Sequence, residues 1–286
     1  MDRSIRRFSC TQCGRCCDHS PEVELSEAAD LADVFVFRLL FRLHRQSAAP
    51  QKGALESTVA FYQKKRLLNA HAARIYENRG YGDQGKSSRR LNYLMISALP
   101  VPTTVGVCSA LDSARCRIYD RRPLTCRTVP FHYARAEAVA KDDLEAFVRT
   151  PGYRCDTSEQ APVVLELGKI LDSGFNEARS QALRVATRDR PWKQAIVRAM
   201  RKSSDGSLPR LNEIESNAAI AAMTTSMRVA WEIAVSEGLL SRVELTRLIQ
   251  AQLVTIEREL ERGVADQEGR NTLLEMKAEY RAALPA

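Results

Sequence analysis

Four thiols fall within eight residues in Cys10-Thr11-Gln12-Cys13-Gly14-Arg15-Cys16-Cys17, at spacing C-x2-C-x2-C-C. A two-residue gap lets a turn aim both sulfurs at one ion, because the intervening amides fold back and Gly14 permits a step at φ > 0. The doubled Cys16-Cys17 is different. Neighbouring side chains on an extended strand point to opposite faces, so both serve one centre only where the backbone bends sharply. Otherwise they serve two centres, or one of them is a spare and reactive thiol.

Four further cysteines follow, Cys108, Cys116, Cys126 and Cys155, and the chain beyond Cys155 has none. Thiolates are soft and select zinc, Cu(I) or iron–sulfur clusters over hard cations. Eight of them make two four-sulfur sites, or one multinuclear site with spares. Four thiolates around a divalent ion leave a charge of about −2. Arg15, Arg115, Arg117, Arg121, Arg122, Arg127 and Arg154 lie near cysteines in sequence and as a set lean toward offsetting that charge. His19 and His132 are the histidines that could replace a sulfur, with Asp18 and Asp112 behind them.

Other chemistries are excluded by spacing. The C-x2-C-x2-C-x3-C run of bacterial ferredoxins fails because position 20 is Ser. A C-x3-C-x2-C triad fails at the same residue. No G-x-G-x-x-G fingerprint, Walker loop or H-E-x-x-H is present, and nothing suggests a Ser-His-Asp hydrolase. The net charge of +8 comes from scattered Lys and Arg, and aromatics are 6%, so nucleic acid is not the expected partner.

The elements that must position these thiols are set by length and patterning. A chain of 286 residues with 44% apolar and 27% charged content can bury a sizeable core without needing a metal to fold. Met1–Arg7 is basic with no apolar stretch after it, so no secretory signal is expected and the setting is cytoplasmic. That makes metal or redox chemistry the better use of the cysteines than four disulfides. The apolar run Leu31–Leu43 is too short and too interrupted to span a membrane.

Ser26 is the expected N-cap of a helix carrying Leu31, Val34, Phe35, Leu39 and Leu43, and Pro50–Arg79 a second helical stretch; His44 and His71 fall within them as ordinary helical histidines. Arg79–Arg90 reads as a loop, Leu91–Val101 as a strand, and Thr103–Gly106 as the lead into the second cysteine group. Cys108 and Cys116 bracket a loop or tight hairpin, and Pro123 opens a short helix bearing Cys126. Phe131–Val139 is expected as a strand and Lys141–Thr150 as a helix.

From Pro162 onward the pattern is helical throughout, with a long helix at Ile214–Val235 and a final one at Asn271–Leu284. A capping box joins Ser241 and Glu244, and Gly263 is a stop. Met223 and Met227 are expected as core packing. The fold class is therefore α+β and mostly helical: a cysteine-rich core over 1–160 with a helical insertion at about 26–90, then a helical bundle over 161–286. That bundle is the expected surface for a protein partner.

Cys10-x2-Cys13-Gly14-x-Cys16-Cys17, Val23-x-Leu25-Ser26, and Cys116-x-Ile118-Tyr119-x2-Arg122-Pro123-x2-Cys126-Arg127-x2-Pro130-Phe131 together resemble the YkgJ-type cysteine-cluster family. The likeness runs over Phe8–Cys155; Phe35–Val105 is longer than the compact family core, and Val129 replaces its usual aromatic. The resemblance implies a zinc- or iron-chelating, or iron–sulfur, protein with all eight cysteines as ligands. It carries no reaction, although some relatives are linked to flagellin lysine methylation. The function expected is an iron centre, iron–sulfur or polynuclear, with redox or protein-modifying use. The alternatives are a structural zinc scaffold and a methylase-like enzyme. No catalytic residue is assigned.

Overall fold

The computed structural model describes residues 5–17, 20–47, 61–62, 65, 68–69, 72–81, 87–102, 107–133, 135–203, 206–216, 222–264 and 266–284. The chain is α+β and mostly helical, as its patterning implies. Strand β1 (Arg6–Arg7) precedes the first cysteine segment, and helix α1 (Leu25–Asp30) follows it. Then come β2 (Phe37–Ser47), β3 (Ala73–Tyr81) and β4 (Ser87–Pro100). The expected helical insertion at 26–90 is corrected here: among its described residues, helix is confined to α1 and to positions between 61 and 69, while 37–47, 73–81 and 87–90 are strand.

The physical reason lies in β2. It sits between β4 and a later strand, β9 (Met223–Ser226), in the order β3-β4-β2-β9, so both of its edges are paired. Phe37, Leu39 and Phe41 are fully buried on one face, and Leu40 is buried on the other. Buried Leu40 on the second face interrupts the alternation with Arg38 and Arg42, and periodicity alone does not then separate the run from a helix. The Arg79–Arg90 loop is likewise corrected at both ends, since residues 79–81 lie in β3 and 87–90 in β4; the rest lies outside the described residues, as does Thr103–Gly106. The strand expected at Leu91–Val101 is present within β4.

Ser26 is not the N-cap of α1. Glu24 holds that position without a side-chain bond, and the carboxylate of Asp189 crosses from the C-terminal half to accept from the Ser26 N–H at 2.8 Å.

A hairpin of β5 (Leu111–Asp112) and β6 (Arg115–Cys116) and the short helix α2 (Leu124–Arg127) carry the second cysteine group. No strand forms over 131–139: its described residues contain a single 3-10 turn, Glu137–Val139, leading into α3 (Ala140–Val148). β7 (Val163–Glu166) and β8 (Lys169–Ile170) join β1 in a three-stranded sheet. Its core gathers Phe8, Phe131, Leu144 and Val164.

The region after Pro162 is therefore not wholly helical. It continues with α4 (Ser173–Arg188), α5 (Arg190–Lys202) and α6 (Leu211–Ser216). β9 (Met223–Ser226) follows, then α7 (Met227–Ser236), α8 (Arg242–Arg262) and α9 (Gln267–Ala282). The single helix expected at Ile214–Val235 is divided because Met223-Thr224-Thr225-Ser226 pairs antiparallel with Arg38–Phe41, and the Ser226 hydroxyl then caps α7. β-branched residues suit that paired edge better than a helix interior.

The Ser241–Glu244 capping box is present, Gly263 ends α8 at φ 88°, and Met227 is buried core. Trp192, Ile196 and Met200 of α5 pack with Trp231, Leu248, Ile256 and Tyr280 against the inner face of β2 and β4. The two larger hydrophobic clusters draw residues from either side of position 160, so packing does not mark the boundary expected there.

Candidate metal centre

The first cysteine segment is held at its two ends. Upstream, Ser9 and Asp156 exchange backbone hydrogen bonds of 2.8 and 3.0 Å, which lays Cys10 beside Cys155. Thr11 Oγ1 reinforces this by donating to the Arg154 carbonyl at 2.7 Å. Between them the chain turns at Gly14, φ +70°, with Cys17 N–H donating to Gly14 O at 3.1 Å. A Cβ at Gly14 would collide with the Ala114 carbonyl of the β5–β6 hairpin. Glycine is thus required twice, for the dihedral and for the close approach.

Downstream, Cys108 N–H donates to Cys17 O at 3.0 Å. The hairpin pairs Leu111 with Cys116. Cys126 sits on α2, whose first amide, Leu124 N–H, donates to the half-buried Glu27 of α1 at 2.6 Å. Thr125 Oγ1 donates to Glu22 O at 2.6 Å.

All eight cysteines line one cavity of about 610 Å³, and all eight are free thiols. Phe8, Phe147, Tyr153, Phe35, Met95 and Arg42 also line it. Among the described residues no three Cys, His, Asp or Glu side chains are already gathered closely enough to hold one ion.

Electrostatics sort the thiols. Burial first, then Cys16, Cys10 and Cys13, pushes Cys155 up to about 11. Burial, then Cys108 and Cys116, pushes Cys126 up to about 12. Cys108 is raised by burial, with Cys116 adding to it. Cys17 is raised strongly by its hydrogen bond with Cys16, by burial, and by Cys108 and Cys126. Cys13 goes the other way. Burial raises it, but amide donors at Arg15 and Arg154 together bring it below an ordinary thiol.

These thiols resist ionising alone because each new thiolate would face others in a desolvated space. A soft cation removes that penalty, so the donor set fits zinc or iron. Ser20 Oγ, also on the cavity wall, is buried with no hydrogen-bond partner among the described residues.

The arginine set is mostly placed elsewhere. Arg117 approaches Glu259 at 3.6 Å, Arg121 pairs with Asp33 at 3.2 Å, and Arg127 donates to Gln181 at 3.3 Å. Arg15, Arg115 and Arg154 are exposed and off the cavity wall. Arg122 alone of the seven lines it. Its guanidinium stacks over the Tyr119 ring at 3.6 Å, and its Nε donates to Tyr119 O at 2.9 Å.

His132 lines the cavity and stacks on Tyr133 at 4.5 Å. Asp112 is exposed on the hairpin. His19, Asp18 and His71 lie outside the described residues. His44 is on β2 and not in a helix.

Sequence reasoning missed Arg42, Met95 and Glu22 on the wall. Arg42 pairs with Glu22 at 2.5 Å, and Met95 stands opposite Arg42 across β2 and β4. The strand alternation of Phe37–His44 would have put Arg42 on the face away from Phe37, Leu39 and Phe41.

A family model described as "CxxCxxCC: putative zinc- or iron-chelating domain" matches residues 9–155, just over half of the chain. The chain belongs to the CxxCxxCC family. Its matched span begins at Ser9 and ends at Cys155, so it takes in all eight thiols and the Ser9 partner of the clasp that joins its ends. Zinc and iron, the metals that the thiols favour, are the metals of the CxxCxxCC description. No curated protein and no solved structure matches the chain. Among the described residues of this CxxCxxCC protein, no helix is long and apolar enough to cross a membrane.

Proposed function

We propose that the chain is a cytoplasmic metalloprotein holding iron on its eight cysteines, as iron–sulfur or polynuclear thiolate chemistry, for redox or protein-modifying use. The observation that supports this is the cavity. A structural zinc site is closed over by its four ligands, whereas these eight thiols border about 610 Å³ of largely apolar space. Room beside the thiols suits a centre that must be approached. His132 on the wall is where a nitrogen donor would enter.

Structural zinc is the second reading, supported by a thiol count that divides into fours, the number tetrahedral zinc takes. The helical region would then dock a protein partner; Leu239, Val243 and Val254 are exposed there. Anaerobic purification separates the two. Brown protein with iron and acid-labile sulfide supports the first reading; colourless, zinc-loaded protein supports the second and sinks the first.

A further inference from the structure

We propose that the eight thiols form two metal centres and not one. Cys10, Cys13, Cys16 and Cys155 hold the first, Cys17, Cys108, Cys116 and Cys126 the second, and the Cys16–Cys17 peptide joins them. The assignment rests on the metal–thiolate reading above and names its stoichiometry and ligand sets.

Hydrogen bonds build the first set. The Ser9–Asp156 bridge and the Thr11–Arg154 bond clasp Cys10 and Cys155 together. The amide of Arg154 reaches the Cys13 thiol, and the thiols acting on Cys155 are Cys16, Cys10 and Cys13. A different scaffold builds the second. Cys108 is bonded to the Cys17 carbonyl at 3.0 Å, the β5–β6 hairpin brings Cys116 back toward it, and α2 presents Cys126. The thiols acting on Cys126 are Cys108 and Cys116, and those acting on Cys17 beyond its neighbour are Cys108 and Cys126.

The doubled cysteine explains the join. Adjacent side chains diverge unless the backbone folds them together. Here the turn closes just upstream, around Gly14, with Cys17 N–H on Gly14 O. Cys17 closes that turn and its carbonyl accepts from Cys108 N–H at 3.0 Å, while its thiol stays hydrogen-bonded to that of Cys16, so the pair links the two sets. Four and four is also the complement that either a four-thiolate zinc site or a four-cysteine iron–sulfur cluster requires.

The test loads full-length protein anaerobically with iron and sulfide, or with zinc, and measures metal per chain. Wild type is compared with Cys155→Ser, Cys116→Ser and the double variant. Two centres predict that each single change removes about half of the metal and leaves the other centre's absorption intact, and that the double change removes nearly all. If either single change empties the protein, or both leave the same residual species, a single shared centre holds and the proposal fails.

Wild type that takes up no metal would instead defeat the metalloprotein reading itself. Because a variant can misfold, a second measurement uses wild type alone. Stepwise chelation followed by thiol alkylation should expose the cysteines in two blocks of four with the stated membership. Exposure in one block, or in mixed blocks, overturns the assignment.

Discussion

Arg122 is the cation that the metal site keeps. It stacks on Tyr119, whose hydroxyl lies within reach of Cys10, and its charge acts on Cys126, so it stands between the two thiol sets. No described carboxylate pairs with it. A guanidinium next to thiolates offsets negative charge and holds its direction through a planar fork, which a lysine reproduces only as a point charge. Outer partners of metal ligands typically account for about 10–100-fold in affinity. Arg122→Gln should weaken metal retention by about that factor in a chelator competition, with Arg122→Lys falling between it and wild type. Arg127→Gln, whose guanidinium meets Gln181 instead, should change nothing. Equal retention by all three variants would show that Arg122 packs without compensating charge.

At the scale of elements, the two cysteine segments were the legible part of the sequence, because thiol spacing is a local signal. The hairpin around Cys116, helix α2 after Pro123 and the capping box of α8 were legible for the same reason. The sheet was not. Phe37–Leu43 and Met223–Ser226 lie far apart in the chain and become strands through pairing with each other. Leu40 breaks the alternation of Phe37, Leu39 and Phe41 with Arg38 and Arg42, so the run reads as helix as readily as strand.

What fixes the start of β2 is equally remote. Gln252 of α8 is fully buried; its Oε1 accepts from Phe37 N–H at 2.9 Å, and its Nε2 donates to Ala32 O and Phe35 O at 2.8 and 2.7 Å. Ala32 O also accepts from Thr255 Oγ1 at 3.0 Å, so two of these backbone groups, Phe37 N–H and Phe35 O, depend on that amide. Gln252→Leu keeps the volume and orphans them, at about 1–3 kcal/mol for each group left unpaired in the core. Denaturant titration should show a loss of several kcal/mol, and a change within error would mean that water replaces the amide.

Across the whole molecule, the metal-binding half and the helical half are joined by buried charge. Lys193 of α5 meets Glu24 at 2.5 Å with both side chains nearly inaccessible, Asp189 caps Ser26 from the same region, and Glu27 receives the first amide of the Cys126 helix. Lys193 and Arg188 thus serve Glu24 and Asp189, and Glu27 stands beside them as a third carboxyl. A buried cluster with more acids than bases is relieved by protonating one of them. Glu27 is pushed up to about 7, chiefly by burial and further by Glu24 and Asp189, and its bond from Leu124 only partly opposes this.

The sign follows from proton counting. Between the ordinary carboxyl value of about 4.5 and about 7, the folded chain holds a proton on Glu27 that the unfolded chain has lost. Stability from this residue is complete below that window and falls as pH rises through it. The fall amounts to about 3 kcal/mol at the stated shift. Glu27→Gln keeps an acceptor for Leu124 N–H but cannot ionise, so the difference between the two proteins isolates the residue. Denaturant titrations at pH values spanning the window should show wild type losing stability with rising pH relative to Glu27→Gln. Parallel pH profiles would mean that Lys193 already neutralises the cluster, and that the two halves are not coupled through a proton.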